Sequence, residues 1–216
     1  MSKDARDLVS RGGPARPLVQ VVEDEESIQV LFQNMGQLGG FDVVCYGTCT
    51  DFLAHHDPER PGCVVLDLNL PDCTGLDLVR YLAKQPSPPP VVFMSGMAKI
   101  SEAVNALKLG SIDFVEKPFD LCQMLETLHR AIEVDASRRA STATHAEVQR
   151  RFARLTPREH QVMDLIVAGA ANKEVAAALG VSPKPVEVHR ANVMRKMQAN
   201  SLAELVRMSV TQLQTA

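Results

Sequence analysis

The stretch that most constrains this chain is Val64-Val65-Leu66-Asp67-Leu68-Asn69-Leu70-Pro71, a short apolar run closed by one carboxylate and then by turn residues. A strand buried on both faces of a parallel sheet reads this way, without the polar alternation of a half-exposed strand. In such sheets the crevice beyond the carboxyl ends of the strands is where ligands bind. Two other runs end in charge in the same manner. Leu18-Val19-Gln20-Val21-Val22 leads into Glu23-Asp24-Glu25-Glu26, and Asp113-Phe114-Val115-Glu116 leads into Lys117-Pro118. Three strand ends therefore deliver carboxylates and one ammonium to a single edge, which is expected to be a site.

Strand patterns at residues 18–22, 41–46, 63–66, 91–94 and 113–116 alternate with helical patterns near 27–38, 48–55, 76–84, 101–109 and 121–134. Five such units predict an α/β fold, a doubly wound five-stranded parallel sheet. Residues 1–16 are polar and are expected to be a disordered extension, with the sheet domain over 17–135. Residues 136–154, rich in Ala, Ser, Thr and Arg, read as a helical or partly frayed linker. A small all-α domain follows over 155–216. Thr156-Pro157-Arg158-Glu159 carries the signature of a capping box with proline at the first helical position. Asn172, Ser182 and Ser201 read as caps of three further helices. The Gly180-Val181-Ser182 turn between the second and third gives helix-turn-helix form.

Charge divides along the same boundary. Residues 1–135 hold 11 Lys/Arg against 20 Asp/Glu, and residues 136–216 hold 12 against 6. A basic C-terminal third points to a polyanion, while an acidic front part suits a metal ion. No apolar run approaches the roughly 20 residues of a membrane span, and the first residues open no secretory signal. A cytoplasmic protein without membrane partners is expected. Cys45, Cys49, Cys63, Cys73 and Cys122 show no paired metal spacing and read as reduced thiols, with a regulatory disulfide or zinc site the lesser alternative.

Glu23, Asp24 and Asp67 at adjacent strand ends place three carboxylates together, and a hard divalent cation is the usual means of holding them ionised. Mg²⁺ takes one or two carboxylates, a backbone carbonyl and waters, leaving room for phosphate oxygens. Asp67 is then placed as the nucleophile toward a phosphoryl group. Lys117 offers a mobile positive charge to the same oxygens, and Ser95, at the end of the fourth strand, a hydroxyl. An acidic run before a helix is often no more than a complement to the helix dipole. Four such groups at four strand ends are not.

With Val21-Val22-Glu23-Asp24, Leu66-Asp67-Leu68-Asn69-Leu70-Pro71, Gly75, Ser95-Gly96 and Asp113-Phe114-Val115-Glu116-Lys117-Pro118-Phe119, residues 18–135 resemble a response-regulator receiver domain of flavodoxin-like fold. The resemblance implies that Asp67 accepts a phosphoryl group from a sensor histidine kinase. It implies Mg²⁺ held by Asp24, Asp67 and the Asn69 backbone carbonyl, with Glu23 acting partly through water. Ser95 and Phe114 would form a switch pair, and Lys117 would sense the phosphate. Catalysis would be confined to Mg²⁺-dependent self-phosphorylation and self-dephosphorylation at Asp67. Val104 and Lys108 are implied as contacts of a homodimer formed on phosphorylation. Glu23 stands where aspartate is commonest, which lengthens the ligand by one methylene.

In the third helix of the C-terminal domain, Val186, Val193 and Met197 mark a buried stripe. Lys184, Glu187, Val188, Ala191 and Arg195 share another face at helical spacing, suited to base edges in the major groove. Lys173, Arg190 and Lys196 suit phosphates. Leu155-Thr156-Pro157-Arg158-Glu159, Asn172-Lys173-Glu174-Val175-Ala176 and Val186-Glu187-Val188-His189-Arg190 resemble the LuxR-type helix-turn-helix of the NarL/FixJ class, nearest the FixJ subgroup. Double-stranded DNA and RNA polymerase are the implied partners. Pro185 stands where the family usually has threonine, which removes a hydroxyl available to DNA.

The expectation is a phosphorylation-dependent transcriptional regulator. Its main rival is a phosphorylation-independent DNA-binding regulator with a structural receiver. A phosphatase of the haloacid-dehalogenase type would need an acid two residues after the nucleophile, where this chain has Asn69.

Overall fold

The computed structural model describes residues 16–96, 108 and 110–213. Its strands are β1 (Leu18–Val22), β2 (Asp42–Tyr46), β3 (Gly62–Asp67), β4 (Val91–Ser95) and β5 (Asp113–Glu116). Its helices are α1 (Glu26–Gly39), α2 (Cys49–His55), α3 (Gly75–Leu82), α4 (Leu121–Ala153), α5 (Pro157–Val167), α6 (Asn172–Leu179), α7 (Pro183–Met197) and α8 (Leu202–Leu213). The helix expected over 101–109, and Val104 with it, lies outside the described residues, apart from a helical, exposed Lys108. The extension expected over 1–16 does so too, apart from Arg16. That residue is tied down, its guanidinium donating to the carbonyls of Gly36 and Gly40 at the end of α1.

All five strands pair in parallel in the order β2-β1-β3-β4-β5. Because strand side chains alternate between faces, the apolar runs supply two layers at once. Val19, Val21, Cys63, Val65, Val92 and Met94 pack with Phe32 and Met35 of α1 and Met124 and Leu128 of α4. Val22, Val64, Leu66 and Phe93 pack with Phe52 of α2 and Leu78, Val79 and Leu82 of α3. Helices thus cover both sides of the sheet, and its buried interior explains the lack of polar alternation in β1, β3 and β4.

Gln20 is the polar exception within β1. Its side-chain oxygen accepts from the Tyr46 hydroxyl at 3.4 Å and lies 3.1 Å from His56 Nδ1. The His56 ring stacks on Phe52, and its Nε2 is buried with no hydrogen-bond partner among the described residues.

The helix expected over 121–134 does not stop there. α4 runs without a break through the stretch read as a linker, and the frayed alternative is not taken. The chain divides into two compact units after Arg139. Within the first, Arg139 donates to Asp135 at 2.7 Å and to the carbonyls of Pro58 and Glu59. Asp135 also accepts from the Gly62 amide. Within the second, Val148 and Phe152 join a separate core with Leu155, Val162, Met163, Ile166, Val175, Val186, Val193, Met197 and Leu205. Residues 140–153 are therefore part of the helical unit rather than a spacer.

The caps of that unit fall close to their expected places. Thr156 and Glu159 close the capping box at the start of α5, and Ser201 accepts from the Glu204 amide at α8. Ser182 occupies the cap position of α7 without a side-chain cap bond. Asn172 is the first residue of α6 rather than its cap: Ala171 holds the cap position, where its amide donates to Glu174, and the Asn172 side chain accepts from Arg190. Gly180 ends α6 at φ +66°, a left-handed conformation that glycine adopts without Cβ strain.

His56 is expected to make the receiver unit acid-sensitive. Burial holds its pKa below the ordinary 6.5, against a smaller opposing pull from Asp57. The unfolded chain then takes up its proton first as pH falls, so stability is present above the ordinary value and is lost below it. Thermal unfolding at pH 7.5 and 5.5 is expected to show a drop that His56→Asn reduces. An equal drop in both proteins would contradict this role.

Candidate functional site

The register of the sheet brings the charged strand ends together. Val22 pairs with Leu66, so Glu23 and Asp67 leave adjacent strands side by side. Ser95 pairs with Glu116, and the Lys117 amide donates to the Ser95 carbonyl, so Lys117 arrives from the far edge. Its ammonium donates to Glu23 at 2.5 Å and to Asp67 at 2.6 Å. Glu23 is fully buried, and the Asp67 and Lys117 side chains are only 9% and 12% exposed. Ser95 is buried, and Phe114 is half-buried against the apolar layer of α2 and α3.

This cluster is electrostatically incomplete. Burial raises the Glu23 pKa above the usual carboxylate value, against the lowering hydrogen bonds from Lys117 and the Glu25 amide. Burial lowers that of Lys117, but the bonds to Asp67 and Glu23 outweigh it and hold the ammonium charged. One ammonium thus serves two carboxylates. Asp24 adds a third, and ligand oxygens of Glu23, Asp24 and Asp67 lie within 4.8 Å of one another. A set of hard oxygens at that spacing fits a hard divalent cation such as Mg²⁺, better than it fits a softer metal.

The loop after β3 is shaped by its glycine. The Gly75 amide donates to Leu68 O, and Asn69 bridges Thr74. A Cβ at Gly75 would fall 2.5 Å from the Asp67 carbonyl, so only glycine permits this return. The Asn69 amide donates to the Asp67 carboxylate at 3.0 Å, which holds the loop against the candidate nucleophile.

In the helical unit, Lys184, Glu187, Val188, Ala191 and Arg195 are all exposed on α7, opposite the buried Val186, Val193 and Met197. Val188 is 58% exposed, an apolar side chain with no core to fill. Lys173 is exposed on α6, and Arg190 is half-buried against Asn172. Lys196, expected at phosphates, is half-buried. Its ammonium pairs with the buried Glu159 at 2.6 Å and ties α7 to α5. No pattern in the sequence distinguished this lysine, because its partner lies 37 residues away.

Comparisons with known proteins identify the family and the fold. The model of the response regulator receiver domain matches residues 19–129, and that of bacterial regulatory proteins of the luxR family matches residues 153–209. Nodulation protein W of Bradyrhizobium diazoefficiens is 39% identical over 91% of this chain and 86% of its own length. The transcriptional regulatory protein FixJ of Rhizobium meliloti is 38% identical over 89% of this chain and 94% of its own. The solved structure of the response regulator StyR superposes with a TM-score of 0.83 at 36% identity, covering 90% of this chain and 98% of that one. Fold and site together define a two-domain signalling protein. The chain belongs to the response regulators that join a receiver domain to a LuxR-type DNA-binding domain. It is a phosphorylation-dependent transcriptional regulator, and its two domains imply a kinase partner and DNA. Among the described residues, no helix is long and apolar enough to cross a membrane.

The Glu159–Lys196 pair yields a stability test. Burial would raise Glu159, but bonds from Lys196 and Thr156 bring it down to about 2. A depressed carboxylate contributes stability above its unfolded value, and that stability is lost as pH falls through the folded value. Lys196→Met is expected to cost the helical unit about 3 kcal/mol at neutral pH, the loss typical of stranding one buried charge. Denaturant unfolding measures this. An unchanged midpoint would return Lys196 to the surface.

Proposed function

We propose that Asp67 is the phosphoacceptor, served by Lys117 and Ser95, and that its phosphorylation promotes dimerisation and sequence-specific DNA binding. The observation carrying this reading is the Lys117 ammonium within 2.6 Å of both Glu23 and Asp67 carboxylates, beside Asp24. An Asp67 carboxylate oxygen attacks phosphorus of a kinase phosphohistidine; the O–P bond forms, the P–N bond breaks, and the imidazole leaves. Lys117 turns from the carboxylate toward the arriving phosphoryl oxygens, to which its N–H groups donate. Ser95 donates its hydroxyl to the same group. Self-dephosphorylation reverses the modification when water attacks phosphorus and Asp67 departs as carboxylate.

Glu23, Asp24, Asp67 and the Asn69 carbonyl would hold Mg²⁺, which supplies neutralisation of the phosphoryl charge when bound. Phosphorylation adds close to two negative charges at Asp67. As Ser95 moves toward them, Phe114 takes the vacated space, which favours dimerisation through contacts that include Lys108 and Val104. Pairing of two chains there presents two copies of the α7 face to two half-sites, and avidity raises DNA affinity. Lys184, Glu187, Val188, Ala191 and Arg195 meet base edges, and Lys173 and Arg190 meet phosphates. RNA polymerase is the further partner, and the cytoplasm, where chromosomal DNA lies in bacteria, is the compartment.

Incubation with acetyl phosphate and Mg²⁺ is expected to add one phosphoryl mass and shift the protein to a dimer, and Asp67→Asn to abolish both. Dimerisation of that variant on donor addition would contradict the mechanism and favour a structural receiver. Lys184→Ala is expected to weaken DNA binding and to lower the slope of log affinity against log salt by about 1. An unchanged slope would make Lys184 solvated surface.

A further inference from the structure

Beside the acidic crevice, the described residues gather one further cluster of reactive side chains, Cys49, Cys73 and Asp72. Cys49 and Cys73 are placed as a disulfide with Cα atoms 6.2 Å apart, the lesser of the alternatives that the sequence leaves open for them. Cys49 opens α2 and is buried, whereas Cys73 is half-buried on the loop after β3. Independent hydrogen bonds hold the two segments together. The Asp72 carboxylate accepts from the Cys49 amide at 2.9 Å, the Thr50 amide at 2.8 Å and the Thr50 hydroxyl at 2.7 Å. These bonds tie the two segments together without using either sulfur. They also occupy the carboxylate that a metal would need, which favours sulfur chemistry over metal binding here.

The position of the pair gives it a consequence. Cys73 neighbours Thr74, which bridges Asn69, and the Asn69 amide is bonded to the Asp67 carboxylate. We propose that Cys49–Cys73 is a reversible thiol–disulfide site whose oxidation clamps the loop after β3 to α2 and so firms the cation-binding end of that loop. The second half of this statement rests on the reading of the crevice given above. The other described cysteines do not compete. Burial pushes the Cys45 thiol up to about 11 and that of Cys63 up to about 12, which leaves them largely protonated. Cys122 is exposed on α4 and has no cysteine partner among the described residues.

The chemistry balances with a low-molecular-weight disulfide as oxidant. The accessible Cys73 thiolate attacks one sulfur of the reagent and expels a thiolate, leaving a mixed disulfide. Cys49 then gives up its proton and attacks Cys73 Sγ, which expels the second thiolate. Two electrons pass from the cysteine pair to the reagent, whose two thiolates take up the two released protons. A dithiol reverses both exchanges.

The test uses the full chain equilibrated across a glutathione redox series. Alkylation and peptide mass mapping read the bridge, hydrogen exchange reads the loop, and calorimetry reads Mg²⁺ affinity. A single two-electron transition linking Cys49 to Cys73 is expected. Exchange at the Asn69 and Thr50 amides should slow in the oxidised form. Mg²⁺ should bind it about fivefold tighter or more, the lower end of coupling between linked sites. Cys73→Ser should hold the reduced behaviour at every potential. Glutathione adducts without a bridge, or zinc that titrates into the reduced protein and protects both thiols, would overturn the proposal. Equal loop exchange in both forms would do the same. If neither form bound Mg²⁺, the reading of the crevice would fail, while bridge formation and loop exchange would still decide the clamp.

Discussion

The structure depends on one ammonium placed between two carboxylates with little water around them. Lys117 bridges Glu23 and Asp67, and these three residues leave three different strands. A buried carboxylate without a partner would take up a proton. With Lys117 alone, two carboxylates share one compensating charge, and Asp24 adds a further negative charge at the rim. The arrangement is stable enough to fold, yet it retains an attraction for further positive charge and a lysine that can be recruited by an arriving anion.

The scaffold has few ways to place these groups otherwise. The strand order sets β3 between β1 and β4, so Asp67 lies centrally while Glu23 and Ser95 flank it. Layers on both faces immobilise the strands, and loops at the carboxyl ends remain free to carry chemistry. In the second unit, a core built across α4, α5, α6, α7 and α8 fixes the exposed face of α7. Lys196 contributes to that support through its ion pair with Glu159.

Strands and site were legible because burial and charge both leave local signatures. An apolar run that ends in Asp67, or a run leading into Glu23, is visible within six residues. Gly75 and the Thr156–Glu159 capping box are legible for the same reason, each being a short-range geometric requirement. Long-range pairings were not. The bond of Asp135 to the Gly62 amide spans 73 residues, and Arg139 reaches the carbonyls of Pro58 and Glu59. Neither interaction has a spacing that sequence periodicity could carry. They explain why α4 continues past residue 134, where the apolar pattern that packs against the sheet gives out. The pairing of Cys49 with Cys73 is illegible for the same reason, since 24 residues and a whole strand separate them.

On this reading the Glu23–Asp24–Asp67 cluster is a cation site poised by Lys117. Titrating Mg²⁺ into isotopically labelled protein, followed by beryllofluoride, addresses it directly by NMR. A poised site gives saturable shifts at the amides of Asp24, Leu68 and Asn69, and a change at the Lys117 ammonium when beryllofluoride docks. Undisturbed resonances through both additions would contradict it and leave a DNA-binding chain without an input.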